Sequence, residues 1–118
     1  MKNRARLMLP LLLTCMILAA PLARADAPPR VIEISAKRFE FTPNAITLKR
    51  GETVILRLTS ADVTHGFYSK QLKIDELIVP GKPVEVKLTP QTAGNFVVIC
   101  DHFCGSGHGN MKMNVVVE

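Results

Sequence analysis

A chain of 118 residues has room for one domain. It carries 15 Lys and Arg against 10 Asp and Glu, a formal net charge of +5. That excess sits in the first 25 residues and no block of like charge follows, so the composition gives no support to nucleic-acid binding.

Residues 1–6 (MKNRAR) hold three basic side chains and no acidic one, Leu7 to Leu22 is almost wholly apolar, and Ala23-Arg24-Ala25 supplies a small-x-small pattern. A basic head, an apolar middle and a small-residue site in that order make a secretory signal peptide, with cleavage expected after Ala25. The apolar run is shorter than the ~20 residues that span a bilayer, and Pro10 and Pro21 interrupt it. No stable transmembrane segment is therefore expected after cleavage, and the protein is expected to be periplasmic or otherwise exported. Cys15 follows Leu12-Leu13-Thr14, and Thr14 is larger than the residue that normally precedes a lipidated cysteine; Cys15 is read as part of the removed segment. Cleavage removes Lys2, Arg4, Arg6 and Arg24 and no acid, so the formal charge falls to about +1. Residues 26–30 (DAPPR) read as a flexible leader, because adjacent prolines cannot join a sheet ladder, and residues 31–118 as the domain. A domain this small is marginal unless a disulfide, a metal or a partner adds stability.

From Val31 onward the chain is a series of short β-type runs separated by turn residues. Val31–Ala36 alternates, with Ile32, Ile34 and Ala36 on one side. Phe39 and Phe41 resume one position out of phase, which predicts a bulge or break near Lys37-Arg38. Pro43-Asn44 turns, Ile46 and Leu48 follow, and Lys49 to Glu52 turns again. Val54, Leu56 and Leu58 alternate with Ile55 and Arg57. Leu72 to Val79 is strand-like, with Leu72, Ile74, Leu77 and Val79 as its apolar positions. Val84, Val86 and Leu88 alternate with Glu85 and Lys87. Asn95–Cys100 is apolar throughout, as in a central strand buried on both faces, and Met113–Val117 is the last strand. Seven or eight short strands without a sustained helical period predict an all-β Greek-key sandwich.

The chemistry gathers between the last two runs, in Cys100-x3-Cys104-x3-His108-x2-Met111, with glycines that let a short loop fold back. Thiolate, imidazole and thioether form a soft donor set that favours copper over calcium, magnesium or manganese. A second imidazole has to come from elsewhere, and His65 is the candidate. Taken alone, Cys100 and Cys104 would make a structural disulfide in an oxidising compartment. Two cysteines and two histidines also suit zinc, although zinc has little use for the Met111 thioether. A mononuclear blue-copper site would take His65, one cysteine, His108 and Met111 and leave the other cysteine without a role.

This loop and the segment Asp62-Val63-x-His65-x-Phe67 resemble the CuA domain of cytochrome c oxidase subunit II, also found in nitrous oxide reductase, over roughly residues 31–118. The resemblance implies a cupredoxin β-sandwich holding two copper ions. Cys100 and Cys104 would bridge them, His65 and His108 would each give one an imidazole nitrogen, and Met111 and the backbone carbonyl of His102 would be weak ligands. It implies electron transfer from a small redox protein such as a c-type cytochrome to a membrane oxidase or reductase, with no catalysis expected of the isolated domain. His102 stands where oxidase subunits usually have a Glu that helps bind magnesium, so no magnesium site is expected. The chain has no Trp to receive electrons from cytochrome c and no preceding pair of membrane helices, which predicts a separate exported protein. The alternative is a periplasmic copper-binding or copper-delivery protein without an electron-transfer role; one compact donor set, rather than a Met-rich or His-rich run, favours electron transfer. Among the neighbours, Asp62 is expected to orient His65, Phe67 and Phe103 to pack around the site, Met113 to be core and Tyr68 to be a surface residue. The His102 side chain is equally open to solvent or to a contact behind the ligands.

Overall fold

Nine short strands and one turn of 3-10 helix are arranged in two facing sheets in the computed structural model, which describes residues 28–118 together with Ala19. The signal peptide expected at 1–25 and the start of the leader lie outside the described residues. Pro28 and Pro29 precede the first strand, which opens at Arg30.

The strands are β1 (Arg30–Lys37), β2 (Glu40–Thr42), β3 (Ala45–Leu48), β4 (Val54–Ser60), β5 (His65–Ser69), β6 (Ile74–Ile78), β7 (Val84–Leu88), β8 (Gly94–Ile99) and β9 (Lys112–Val117). One sheet has the order β2-β1-β4-β7 and the other β3-β9-β8-β5-β6. Both are mixed: β1 runs parallel to β4 and β3 parallel to β9, and the remaining pairs are antiparallel. The expected all-β sandwich is what forms.

The period-2 patterns decide which face turns inward. Ile34, Ala36, Phe41, Val54, Leu56 and Leu58 from the first sheet meet Leu48, Phe67, Ile78, Val98, Met113 and Val115 from the second. Each such side chain contributes about 1.5–3 kcal/mol when fully buried. Phe41 and Phe67 join the two layers edge to face, with ring centroids 5.4 Å apart and planes at 86°, the geometry the ring quadrupole prefers. On the outer face of the first sheet Arg57 lies 3.8 Å from both Glu33 and Glu85. Exposed pairs of this kind add little stability.

Several expectations change. The break near Lys37-Arg38 is a hairpin turn: Ala36 faces Phe41 across the β1–β2 pair, so both point into the core although their spacing is odd. Residues 65–69 form a strand that the sequence did not announce, since His-Gly-Phe-Tyr-Ser lacks an apolar alternation; pairing of β5 with β6 imposes it. β8 is central but buried on one face only. Val98 points inward while Val97 and Ile99 are each 43% exposed, because among the described residues no layer covers the outside of that sheet. In β6 the inward positions are Ile74 and Ile78, and Leu77 is 54% exposed.

Leu56→Ala should lower the unfolding free energy of the metal-free protein by about 2–5 kcal/mol. Leu77→Ala should stay within about 0.5 kcal/mol. Urea denaturation of the two variants measures both, and equal losses would show that the inward register is wrong.

Candidate metal centre

Three connections meet at one pole of the sandwich: the β1–β2 turn, the β4–β5 loop and the long β8–β9 loop. Parallel pairing of β1 with β4 brings the first two together, and the Ala61 N–H donates to the Ala36 carbonyl at 2.9 Å just past the ladder. The third is closed by the Cys100 N–H donating to the Met111 carbonyl at 3.1 Å, one rung beyond the Ile99–Lys112 pair. Cys100 and Met111 are therefore cross-strand neighbours. Between them a tight turn, with the His108 N–H donating to Gly105 and the Met111 N–H to His108, returns His108 to the same spot.

His65 opens β5 and is fully buried. Its Nε2 lies 2.7 Å from Asp62 Oδ1. A carboxylate only accepts, so Nε2 carries a proton, and the neutral ring then keeps its lone pair on Nδ1. That Nδ1 lies 4.0 Å from Cys100 Sγ. The expected orienting contact from Asp62 is thus present. Partial burial works against ionisation of Asp62, but hydrogen bonds from the Arg38 backbone N–H, the His65 ring and the Val63 N–H outweigh it. Together they hold the carboxyl at about 2, below the usual 3.8.

The sulfurs of Cys100 and Cys104 are 3.6 Å apart and both are free thiols, well beyond the roughly 2.05 Å of a disulfide. Cys104 Sγ lies 3.9 Å from His108 Nδ1 and 3.9 Å from Met111 Sδ. The His102 carbonyl is 3.2 Å from Cys100 Sγ, and the Gly66 N–H donates to the same sulfur at 3.3 Å. Each sulfur therefore has an imidazole nitrogen and one weaker donor beside it. Candidate ligand atoms of His65, Cys100 and Cys104 all lie within 4.8 Å of one another. Burial raises the Cys104 thiol, and the neighbouring Cys100 sulfur raises it further, while the Arg38 guanidinium acts the other way. A metal that takes both sulfurs as thiolates releases protons on binding.

These residues fit copper. Six donors converge, more than the four of a tetrahedral zinc site, and a thioether suits a soft ion. The two cysteines and Met111 are buried with His65, whereas His108 is only half-buried.

The neighbours sort less evenly. Phe67 and Met113 are core, Tyr68 is half-buried and the His102 side chain faces solvent. Phe103 does not pack around the site: it is 73% exposed, its ring centroid 6.0 Å from that of His108. Arg38 and Phe39 were not expected at the site. Arg38 Nε donates to the Cys104 carbonyl at 2.8 Å, and Phe39 occupies the space where a Cβ on Gly105 or Gly107 would come within 2.8 and 2.5 Å of its ring. Their only trace in the sequence is the broken alternation at Lys37-Arg38. Gly66 is equally constrained, since a Cβ there would stand 2.7 Å from the His102 nitrogen and 2.8 Å from the Asp101 nitrogen. A cleft of about 440 Å³ lined by Leu72, Leu88, Pro90 and Phe96 contains none of the donors.

Comparison with known proteins gives a consistent picture. The cupredoxin-like domain family is matched by residues 7–117. Cytochrome c oxidase subunit 2 of Thermus thermophilus is 33% identical over 87 residues, which is 74% of this chain and 64% of that protein. The chain spans 52% of a second subunit 2 from the same species, so it covers between half and two-thirds of these relatives. The nitrous-oxide reductase of Cupriavidus necator is 29% identical over 91 residues, 74% of this chain and 14% of the reductase. The crystal structure of the periplasmic domain of subunit II of cytochrome oxidase from Bradyrhizobium japonicum superposes with a TM-score of 0.70. It is 18% identical and covers 75% of this chain and 83% of that one, a likeness of fold.

Gly66→Ala should push the 100–111 loop off the β5 backbone and cost about 1–3 kcal/mol, read by thermal unfolding of the metal-free protein. The Asp62 contribution to stability should be intact above the usual carboxylate value of 3.8 and disappear as the pH falls through about 2. The stability difference between the wild type and Asp62→Asn, both metal-free, should therefore close over that window in urea titrations at a series of pH values.

Proposed function

This chain belongs to the cupredoxin-like domain family, and on that premise we propose that it is a copper-binding electron-transfer protein with a binuclear, CuA-type centre. The observation that carries the reading is the pair of buried free sulfurs 3.6 Å apart, each with an imidazole Nδ1 about one ligand-pair distance away. Cys100 and Cys104 would bridge two copper ions, with His65, His108, Met111 and the His102 carbonyl completing the set. Two cysteines have a purpose in such a centre, whereas a mononuclear site leaves one idle.

Two coppers sharing two sulfurs spread one electron over both metals, so oxidation and reduction need little bond rearrangement. The chain's part is to hold the donors still and keep water out. Asp62 fixes the His65 ring through Nε2, and the Gly66 N–H stabilises negative charge on Cys100. His108 is the donor side chain that reaches toward solvent, which favours electron entry or exit over the 100–111 loop. Export to the periplasm, a c-type cytochrome as donor and a membrane oxidase or reductase as acceptor complete the proposal. Among the described residues no helix is long and apolar enough to cross a membrane. The relatives' names support the pathway: cytochrome c oxidase subunit 2 recurs among them, and one is a nitrous-oxide reductase.

Copper loading of the exported protein should give two coppers per chain and an EPR hyperfine pattern shared between two nuclei. One copper with a single-nucleus pattern would leave a mononuclear site, and tight zinc without copper would remove electron transfer altogether. Cys100→Ser should abolish the shared pattern; if it kept two coppers and an unchanged spectrum, the bridging assignment would fall.

A further inference from the structure

The β1–β2 turn is 24 residues from Asp62 and 66 from Cys104 in sequence, yet it touches both ligand-bearing loops. The Arg38 backbone N–H donates to Asp62 Oδ2 at 2.8 Å, and its side-chain Nε donates to the Cys104 carbonyl at 2.8 Å. The other Asp62 oxygen, Oδ1, accepts from His65 Nε2 at 2.7 Å. One residue thus connects a thiol-bearing segment to an imidazole-bearing one, through contacts on opposite sides of its own Cα. The backbone contact survives most substitutions; the Cys104 contact depends on the guanidinium.

The charge is also placed distinctively. Lys37 and Glu40, on either side of the turn, pair with each other at 3.3 Å. Asp62 is engaged by N–H groups and the His65 ring. Among the described residues no carboxylate forms an ion pair with the Arg38 guanidinium. Its positive charge is directed at the carbonyl of a ligand residue and has no counter-charge of its own.

We propose that Arg38 is the positioning residue of this centre: its guanidinium ties the Cys104 segment to the Asp62–His65 arm, and its unpaired charge raises the reduction potential. The proposal rests on the copper reading of the loop. An added electron is stabilised by a nearby fixed positive charge, and because Arg38 sits at the exposed rim, solvent and salt screen part of the effect. Phe39, next in the chain, presses on Gly105 and Gly107 and leaves the loop no room to slide.

The test uses the full exported chain with Arg38→Gln, which removes the charge, and Arg38→Lys, which keeps the charge but lacks the planar Nε donor. At a fixed ambient potential the oxidised-to-reduced ratio of copper-loaded Arg38→Gln should rise roughly three- to tenfold over wild type. Tenfold corresponds to about 59 mV for a one-electron couple. Arg38→Lys should keep most of the wild-type potential. Amide hydrogen exchange across Cys104–Met111 in the metal-free protein should speed up in both variants, with the rates in β4 unchanged. An unaltered potential in Arg38→Gln overturns the tuning role, and unaltered exchange in both variants overturns the tie. If wild type itself lacks the two-copper signal, the functional proposal and the tuning role fail together, while the exchange rates still decide the tie.

Discussion

The amide of Cys100 donates to the carbonyl of Met111 one rung past the β8–β9 ladder, and the donor loop exists because that rung closes it. The ten residues between them leave the sheet after Cys100 and must return at Met111, in register with the strand they left. That fixes a thiol and a thioether as neighbours before any other group arrives. His108 is then delivered by a single tight turn whose amides are satisfied by Gly105, Gly107 and its own carbonyl. His65 comes from β5, which joins β8 through Tyr68 and Ile99. The loop is held by ladder hydrogen bonds where it leaves the sheet and by contacts from other segments beyond it.

Those outside contacts carry a cost that the fold has to offset. Burying an imidazole, a carbonyl and two thiols away from water is unfavourable unless each finds a partner. Among the described residues no buried side-chain nitrogen or oxygen lacks one. His65 is satisfied by Asp62 on one nitrogen and faces sulfur on the other. Cys100 accepts from the Gly66 N–H, which is possible only because Gly66 has no Cβ to hold the Asp101-His102 backbone away. These side chains are kept close both by their neighbours and by contacts with one another. A domain with so small a core would gain stability from a bound ion.

The sequence read well where one residue type forces one outcome. Strands with clean alternation, such as Val54–Ser60 and Val84–Leu88, appear where expected, because a single buried face leaves no other register. The candidate ligands of the 100–111 loop were picked out by spacing and softness, and the structure places their side chains side by side. It read less well where a pattern has two meanings. The apolar run at Phe96–Ile99 fits a strand buried on both faces and a strand with an uncovered outer face equally, and only the layer count separates them. His65-Gly66-Phe67 has no strand period, so β5 is imposed by its partners. Phe103 looked like packing beside two candidate ligands and instead stands out in solvent.

The amino-acid sequence by itself determined the fold class and the family resemblance, since periodicity and motif spacing are local properties of the chain. Only the tertiary structure decided how the candidate ligands are held. Arg38 reaches Cys104 across 66 residues, Phe39 wedges against Gly105 and Gly107, and Gly66 yields space to Asp101 and His102. Each of these depends on two sheets bringing three separate turns to one pole. No local pattern encodes that meeting, because the contacts are set by strand order and register rather than by any residue's immediate neighbours.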